Sequence, residues 1–284
     1  MELRSTPSGK ERNRLMMKDV MPVWGTRKAA AITRRDAVPL VDDIRLRAPV
    51  VANRLQGVLT RMFNFAAERG IIEHSPLNDM RRPPEKARDR VLNDEEIRLL
   101  WAGLDPCHKR GMFQVTRLAL KMILLTGQRP GEVCGMTWDE IDGEGFWNIQ
   151  ADRRKGRESQ RVPLSGMALD VIKQARVYSN MTPFVFTSTR GGTHIETHTA
   201  STAILHSWER MGIKEQFTPH DLRRTVRTRL AELGIDDVVA ERVLGHKLQG
   251  IMGVYNRHSC DTEKRQSLEK WAKKLQQIIG IDKP

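Results

Sequence analysis

The chain has 284 residues, with 48 Lys and Arg against 35 Asp and Glu, which leaves a formal charge of +13. This length suits one large or two moderate domains, and the charge suits a partner rich in phosphate, although a ribosomal protein would share it. Aromatic residues make up only 5% of the chain, so base stacking on aromatic platforms is not favoured as the main mode of binding.

The sequence shows no signal for a membrane or for secretion. The longest apolar stretch, Leu118–Leu125, is interrupted by Lys121 and is much shorter than the roughly 20 residues that a membrane-spanning helix needs. The N-terminus is charged and lacks the apolar segment of a signal peptide. Cys107, Cys134 and Cys260 show no CxxC spacing, which indicates a reducing compartment. We therefore expect a soluble, cytoplasmic protein, and we assign no metal ligands.

Two helices are predicted in the N-terminal part of the chain. Thr33, with Asp36 three residues later, is a capping pair that opens a helix running to about Arg47. Pro49 fits the first turn of a second helix, Val50–Arg69, whose apolar residues fall at helical spacing.

A basic, proline-rich segment separates two predicted domains. Residues 81–91 contain paired prolines and several basic residues but almost no apolar ones, which is typical of an extended linker. The sequence therefore predicts a helical domain over residues 1–80 and a second domain over residues 92–284.

The second domain is predicted to be mainly helical with a small antiparallel sheet. Asn93 and Glu96 form a near capping box before its first helix, and Val115–Leu125 forms a mostly apolar helix. Apolar runs at Phe146–Ile149 and Val162–Leu164 predict a hairpin with a basic tip. Four further helices are predicted at about Met167–Val177, Thr199–Met211, Pro219–Leu233 and Asp237–Leu244.

Four residues of the second domain have the chemistry of a phosphate clamp. Arg129 in TGQRPGEV and Arg223 in PHDLRRT carry planar guanidinium groups, which donate paired hydrogen bonds to phosphate oxygens. His220 lies three residues before Arg223, so on a helix both would face one pocket, where His220 could act as a base. His246 in LGHK would add a second imidazole donor. Each residue alone is more typical of a structural role, but their joint order and spacing favour a site.

Two further residues would complete a site that cleaves a phosphodiester. Tyr255 in VYNRH would be the nucleophile, because a base or a positive field can remove the proton of a tyrosine hydroxyl, whose ordinary pKa is about 10. Lys155, at the predicted hairpin tip, would be the general acid that protonates a departing sugar 5′-hydroxyl. Its basic neighbours also fit a solvated turn that merely attracts phosphate.

At these residues the chain resembles the tyrosine recombinases, specifically the phage-type integrases of prophages and genomic islands. The resemblance extends to GMTW, VPLS, VFTS and the terminal DTEKRQSLEKWAKKL, and it is stronger over residues 92–279 than over residues 15–80. It implies attack of the tyrosine on a DNA phosphate, a 3′-phosphotyrosyl enzyme, and a free 5′-hydroxyl that attacks a partner strand, without a metal or nucleotide cofactor. It also implies that Glu132 supports the active-site arginines, that residues 1–80 form a partial core-binding domain, and that the chain is N-terminally short.

The sequence thus predicts a site-specific recombinase that integrates or excises a mobile element. A type IB-like topoisomerase and a catalytically idle DNA-binding relic remain alternatives. The expected partners are duplex DNA, DNA-bending accessory proteins and further copies of the chain in a tetramer, and the expected location is the nucleoid of a bacterium, in a protein encoded by the bacterium or a phage. The predicted DNA-binding residues are Arg54, Arg61, Arg81, Arg82, Arg153 and Arg154.

A stripe of apolar residues predicts an amphipathic C-terminal helix. The stripe consists of Leu268, Trp271, Leu275 and Ile278. It could belong to the core of the chain, whereas the resemblance implies that it docks on a neighbouring protomer and so contributes to the tetramer.

Overall fold

The structure, a computed structural model, describes residues 7–85, 88–105, 111–154, 158–179, 181–246 and 260–281. The chain divides into two compact units, residues 1–88 and 89–284. The division falls within the segment 81–91 that the sequence marks as a linker. None of the helices in the described ranges combines the length and the apolar character that crossing a membrane requires.

The first unit is built from helices. They are α1 (Pro7–Leu15), a π-helical turn (Met16–Val20), α2 (Met21–Trp24), a 3-10 turn (Ala29–Ala31), α3 (Arg34–Arg47) and α4 (Pro49–Glu68). Apolar residues of α3 and α4 meet in one core, where the ring of Trp24 contacts that of Phe63 edge-on with centroids 6.1 Å apart.

Thr33 begins α3 as the sequence predicts. The Thr33 N–H donates to Asp36 Oδ2 at 2.8 Å, and Arg27 Nη1 donates to Asp36 Oδ1 at 2.7 Å. The hydrogen bond from Arg27 has the larger effect on the pKa of Asp36. Together with the hydrogen bond from Thr33, it holds that pKa below its usual range. Both predicted helices are confirmed as α3 and α4, and α4 has Pro49 in its first turn.

The described part of the predicted linker lies against α4. Residues 81–85 form neither helix nor strand. Asn53 Nδ2 donates to Pro83 O at 2.9 Å, and Gln56 Nε2 donates to Met80 O at 2.6 Å. The segment is therefore anchored by buried side-chain amides of α4 rather than extending freely from it.

The second unit consists of helices around one hairpin. Its helices are α5 (Asp94–Gly103), α6 (Gln114–Thr126), α7 (Pro130–Cys134), α8 (Gly166–Arg176), α9 (Thr197–Leu205), α10 (Pro219–Glu232), α11 (Asp237–Leu244) and α12 (Asp261–Ile279), with 3-10 turns at Trp138–Glu140, Ala151–Arg153 and Glu209–Met211. Strands β1 (Phe146–Ile149) and β2 (Gln160–Pro163) pair antiparallel, with Phe146 opposite Pro163. The predicted fold class, mainly helical with a small antiparallel sheet, is confirmed.

The helix predicted over Thr199–Met211 is interrupted. Helix α9 ends at Leu205, and a separate 3-10 turn covers Glu209–Met211. The three residues between them have only middling helix propensity, so packing rather than propensity decides their path. Trp208 and Met211 pack against the core of the second unit.

Helix α6 is the central helix of the second unit, since every residue from Val115 to Thr126 is buried. The apolar stripe of α12 is buried in the same core, and Trp271 Nε1 donates to Leu124 O at 2.8 Å. The interpretation of the stripe as core is thus confirmed. The apolar face is covered within the chain, and assembly of protomers through this helix stays a prediction.

Candidate active site

The turn between α6 and α7 holds Arg129 in a fixed place. Gly127 ends α6 in the left-handed conformation with φ +65°, and a Cβ there would lie only 2.8 Å from Leu244 Cδ2. Gln128 is fully buried, and its Nε2 donates to Val243 O at 2.7 Å. Arg129 therefore caps the N-terminus of α7 from a backbone that cannot shift easily.

Glu132 binds both the side chain and the backbone of Arg129. Glu132 Oε1 accepts from Arg129 Nη1 at 2.9 Å, and Oε2 accepts from the Arg129 N–H at 3.1 Å. Burial alone raises the pKa of Glu132, but the charge and the hydrogen bonds of Arg129 outweigh burial, so the pKa is lowered overall. The buried carboxylate is ionised at neutral pH and orients the half-buried guanidinium group.

Arg223 lies in α10 with its side chain buried. Its Nη1 donates to Gly127 O and its Nη2 donates to Leu244 O, both at 2.8 Å, and Nη2 also lies 2.8 Å from His246 Nε2. Burial, followed by the charge of Arg129, lowers the pKa of Arg223 to about 10, so the group stays charged at neutral pH. Among the described residues, the Nε–H and one Nη1–H have no partner and are available to an anion.

His246 follows Gly245, which ends α11 in the left-handed conformation with φ +66°. Because a guanidinium group only donates, His246 Nε2 must accept from Arg223, and Nδ1 then carries the proton that Glu241 Oε2 accepts. Glu241 is held in turn by Arg227 Nε at 2.7 Å. Burial alone would raise the pKa of Glu241. The hydrogen bonds from Arg227 and His246 outweigh burial, so the pKa of Glu241 is lowered overall. The imidazole ring is thus oriented from both sides.

His220 is the second residue of α10 and lies at the exposed edge of the site. Partial burial of its ring, followed by the charges of Arg223 and Arg224, lowers the pKa of His220, and Arg129 adds to the effect. The ring is therefore neutral at pH 7, which is the form that accepts a proton.

The described residues bring five of the predicted site residues together. They are Arg129, Glu132, His220, Arg223 and His246. Lys155 and Tyr255 lie outside the described residues, so their placement at this site stays a prediction.

Arg153 and Arg154 point into the second unit. Arg154 Nε donates to Glu132 Oε1 at 3.1 Å. Arg153 pairs with both carboxylate oxygens of the buried Glu140 and donates to Glu132 O at 2.8 Å. The prediction that Arg154 contacts DNA is corrected, because its guanidinium group is buried and held by protein groups, whereas a DNA contact of the partly exposed Arg153 stays a prediction. The buried carboxylates of Glu132 and Glu140 each need a cationic partner, but the sequence does not show which arginine supplies it.

Sequence reasoning also did not single out Glu241. It lies five residues before His246, a spacing that would not place the two on one face of a continuous helix. The left-handed turn at Gly245 brings the imidazole back to the carboxylate. The contact between His246 and Glu241 can therefore be predicted only when the turn at Gly245 is known.

Three of the predicted DNA-binding residues line one cleft of the first unit. Arg54, Arg61 and Arg82 surround a cleft of about 690 Å³, with Gly57 in its wall. The three side chains are exposed, and no other described residue forms a hydrogen bond or ion pair with them. Arg81 is also exposed but does not line this cleft.

Comparison with known proteins decides the family. The family model named Phage integrase family matches residues 90–261, and the model named Phage integrase central domain matches residues 3–83. The chain belongs to the phage integrase family. Together the two matches include most residues of both units.

Relatives of this integrase-family chain include proteins from two bacteria. Prophage integrase IntZ of Escherichia coli (strain K12) is 29% identical over 271 residues, which cover 93% of this chain and 65% of IntZ. A tyrosine recombinase of Thermosipho africanus (strain TCF52B) is 25% identical over 214 residues, which cover 75% of this chain and 72% of that protein. The chain thus spans slightly less than two thirds of the length of IntZ.

Solved integrase structures share the fold of the chain. A lambda integrase dimer bound to a COC′ core site has a TM-score of 0.67 at 21% identity and covers 84% of this chain and 86% of its own. A lambda integrase tetramer bound to a Holliday junction has a TM-score of 0.62 at 22% identity, with coverages of 81% and 65%. The Tn1549 transposon integrase with circular intermediate DNA has a TM-score of 0.61 at 18% identity, with coverages of 90% and 91%.

Proposed function

We propose that this chain is a site-specific DNA recombinase that cleaves and rejoins duplex DNA with Tyr255 as its nucleophile, in the integration or excision of a mobile element. The convergence of Arg129, Arg223 and His246 on one charged site carries this proposal. Membership of the phage integrase family supports it.

The fixed cations are suited to a phosphate whose charge grows during attack. Arg129 and Arg223 are held by protein groups before any substrate binds, so they need little reorganisation when the pentavalent phosphorane forms. A phosphate bound at the unused N–H groups of Arg223 would lie near His246, whose Nε2 contacts the same guanidinium group. His246 would donate to a phosphate oxygen in a form that carries hydrogen on Nε2, while Glu241 holds the other ring nitrogen.

The reaction proceeds in two reversible transfers. Tyr255 Oη attacks the phosphorus while His220 accepts the hydroxyl proton, and the bond from phosphorus to the 5′-oxygen breaks. Lys155 protonates that oxygen, which leaves a 3′-phosphotyrosyl bond and a free 5′-hydroxyl. The 5′-hydroxyl of a partner strand then attacks the phosphotyrosyl bond and releases Tyr255.

Binding and assembly rest on other surfaces. The exposed Arg54, Arg61 and Arg82 would neutralise backbone phosphates, in keeping with the formal charge of +13. The tetramer of lambda integrase on a Holliday junction motivates a tetramer of this chain on DNA, formed through surfaces other than the buried apolar face of α12. A DNA contact of Arg81, DNA-bending accessory proteins and association with the nucleoid stay predictions.

A covalent adduct tests the proposal. The purified protein is incubated with nicked suicide DNA that carries candidate attachment sites and is run on a denaturing gel beside Tyr255→Phe and Tyr178→Phe. We expect a slow-migrating, protease-sensitive band with the unmodified protein and with Tyr178→Phe, but not with Tyr255→Phe. Binding without any adduct would favour an idle DNA-binding relic, and an adduct without exchange between two duplexes would favour a topoisomerase.

A further inference from the structure

Arg154 is a buried cation beside the site, with only 4% of its side chain exposed. Its three guanidinium nitrogens reach three separate segments. Nε donates to Glu132 Oε1 at 3.1 Å, Nη1 donates to Glu158 O at 2.8 Å, and Nη2 donates to Gly245 O at 2.8 Å. Arg154 therefore joins the connection between β1 and β2 to α7 and to the end of α11.

The contact with Glu132 bears on Arg129. Glu132 Oε1 accepts from both arginines, from Arg129 Nη1 at 2.9 Å and from Arg154 Nε at 3.1 Å. The carboxylate is thus held between two guanidinium groups. Without Arg154, Arg129 would be the only one of these two arginines left to donate to the buried carboxylate, and the position of the carboxylate would be less restricted.

The contact with Gly245 bears on His246. Gly245 O belongs to the peptide group that leads into His246, so a hydrogen bond to that oxygen fixes the path of the chain into the imidazole. The approach is close, because a Cβ on Gly245 would lie 2.1 Å from Arg154 Nη2. Glycine is therefore required at position 245 for two reasons. Its φ of +66° is left-handed, and a side chain there would collide with Arg154.

Arg154 also contributes charge to the site without contacting a ligand. Three guanidinium groups, those of Arg129, Arg154 and Arg223, face two carboxylates, those of Glu132 and Glu241, and the charge of Arg154 is among the causes that lower the pKa of Arg223. The site therefore retains an excess of positive charge. Because the guanidinium group of Arg154 is buried and occupied, it acts through its neighbours.

We propose that Arg154 is a positioning residue of the phosphate site, which keeps Arg129 and His246 in register through Glu132 and the carbonyl of Gly245. This inference rests on the proposed function. The positions of Arg129 and His246 would then depend on one buried side chain from a third segment, and that side chain had been expected to bind DNA.

The test compares Arg154→Met with Arg154→Lys and with a matched control, Arg117→Met. Arg117 and Arg154 are both 6% exposed as whole residues, and both donate to backbone carbonyls, which for Arg117 are those of Met112 and Asp105 ahead of α6. Adduct formation is timed in single turnover on suicide DNA with an ordinary scissile phosphate. Adduct formation is also timed on two modified substrates. One is a methylphosphonate, in which a methyl group replaces one charged oxygen, and the other is a 5′-bridging phosphorothiolate, whose sulfur leaves without a proton.

We expect Arg154→Met to form the adduct about 10- to 100-fold more slowly on ordinary DNA at unchanged DNA affinity, with Arg154→Lys in between. The deficit should shrink on the methylphosphonate, because a neutral phosphate depends less on well-placed guanidinium groups. Arg117→Met should show the same relative rates on all three substrates as the unmodified protein, whatever it loses in melting temperature.

Three results would overturn the inference. Relief on the phosphorothiolate alone would mean that Arg154 acts only through its sequence neighbour Lys155. An equal deficit on all three substrates, or none, would mean that its role is only structural. If Arg154→Met does not fold, the rates of adduct formation on the three substrates are compared for Arg154→Lys instead, and the same outcomes test the inference. Absence of an adduct with the unmodified protein on ordinary DNA would instead refute the proposed function, so that measurement is made first.

Discussion

The arginines near the candidate active site and those around the cleft of the first unit differ in what holds them. In the second unit, Arg223 and Arg154 are buried and donate to backbone carbonyls or to a carboxylate. In the first unit, Arg54, Arg61 and Arg82 are exposed around an open cleft, and the other described residues offer them no hydrogen bond or ion pair.

The difference follows from the work that each set would do. Stabilising charge in a transition state requires donors that are already in place, because reorganisation during the reaction costs rate. Attracting a backbone of phosphates requires only positive charge near the surface, and release of counterions supplies the affinity. The two sets should therefore respond differently to substitution.

Arg223→Ala should have the largest effect. Removing one fixed donor of this kind slows the chemical step by about 100- to 1,000-fold. We expect that loss in single-turnover adduct formation at saturating DNA, with DNA affinity changed little. Arg223→Lys keeps the charge but not the planar fork, and it should restore only part of the rate. A large loss of affinity with a normal rate would place Arg223 among the binding arginines and would erase the contrast.

Lys155→Ala sharpens the comparison, because this cation should act on the leaving group rather than on the charge of the phosphate. We expect cleavage of ordinary DNA to slow on the order of 100-fold, the typical share of a general acid. A substrate with sulfur in place of the departing 5′-oxygen should restore the rate, as measured by the same adduct assay. A deficit that persists with the sulfur substrate would remove Lys155 from the general-acid role.

The dependence of cleavage on pH tests the state of His220. A base must be unprotonated, and burial together with Arg223 and Arg224 lowers the pKa of His220 in the folded protein. The rate should therefore stay high to a pH below about 6.5, the ordinary midpoint of histidine, and then fall by about tenfold per pH unit. His220→Asn should lower the maximum and remove this acid limb. If the acid limb of the pH profile is unchanged in His220→Asn, the group that titrates there is not His220.

Substitution of the cleft arginines should have the smallest effect on chemistry. Arg54→Ala, Arg61→Ala and Arg82→Ala should each weaken DNA binding without regard to sequence and should reduce the salt dependence of log K by about 1. Cleavage at saturating DNA should be unchanged. Arg47→Ala is a matched control, because Arg47 is an exposed arginine of the same unit that is paired with Asp19. Equal salt slopes for all four variants would argue against the cleft as a DNA-binding surface.

The sequence was sufficient for the elements whose signals are local. The capping pair of Thr33 and Asp36 marks the start of α3 through nearest neighbours, and the structure has it where predicted. The amphipathic stripe of α12 could not be resolved in the same way. An apolar face has the same periodicity whether it packs on the core of its own chain or on another chain. Only the tertiary contact of Trp271 with Leu124 shows that this face packs on its own core.

The candidate site shows the same limit. Motif order and resemblance were enough to select Arg129, Arg223 and His246, because their residue types follow from phosphate chemistry. Arg154 was misassigned, because a basic residue near a hairpin tip looks the same in sequence whether it faces water or a buried carboxylate. Its partner Glu132 is 22 residues away along the chain, so no local pattern reports the pairing.

The identity of the residue that becomes bound to DNA is the most direct test of the account. The adduct formed on suicide DNA would be digested with trypsin and nuclease, and the peptide that carries the remaining nucleotide would be sequenced by mass spectrometry. The chain has 2 tyrosines, and trypsin places them in different peptides, residues 248–257 with Tyr255 and residues 177–190 with Tyr178. We predict the nucleotide on Tyr255, and its attachment to any other residue would contradict the proposed mechanism.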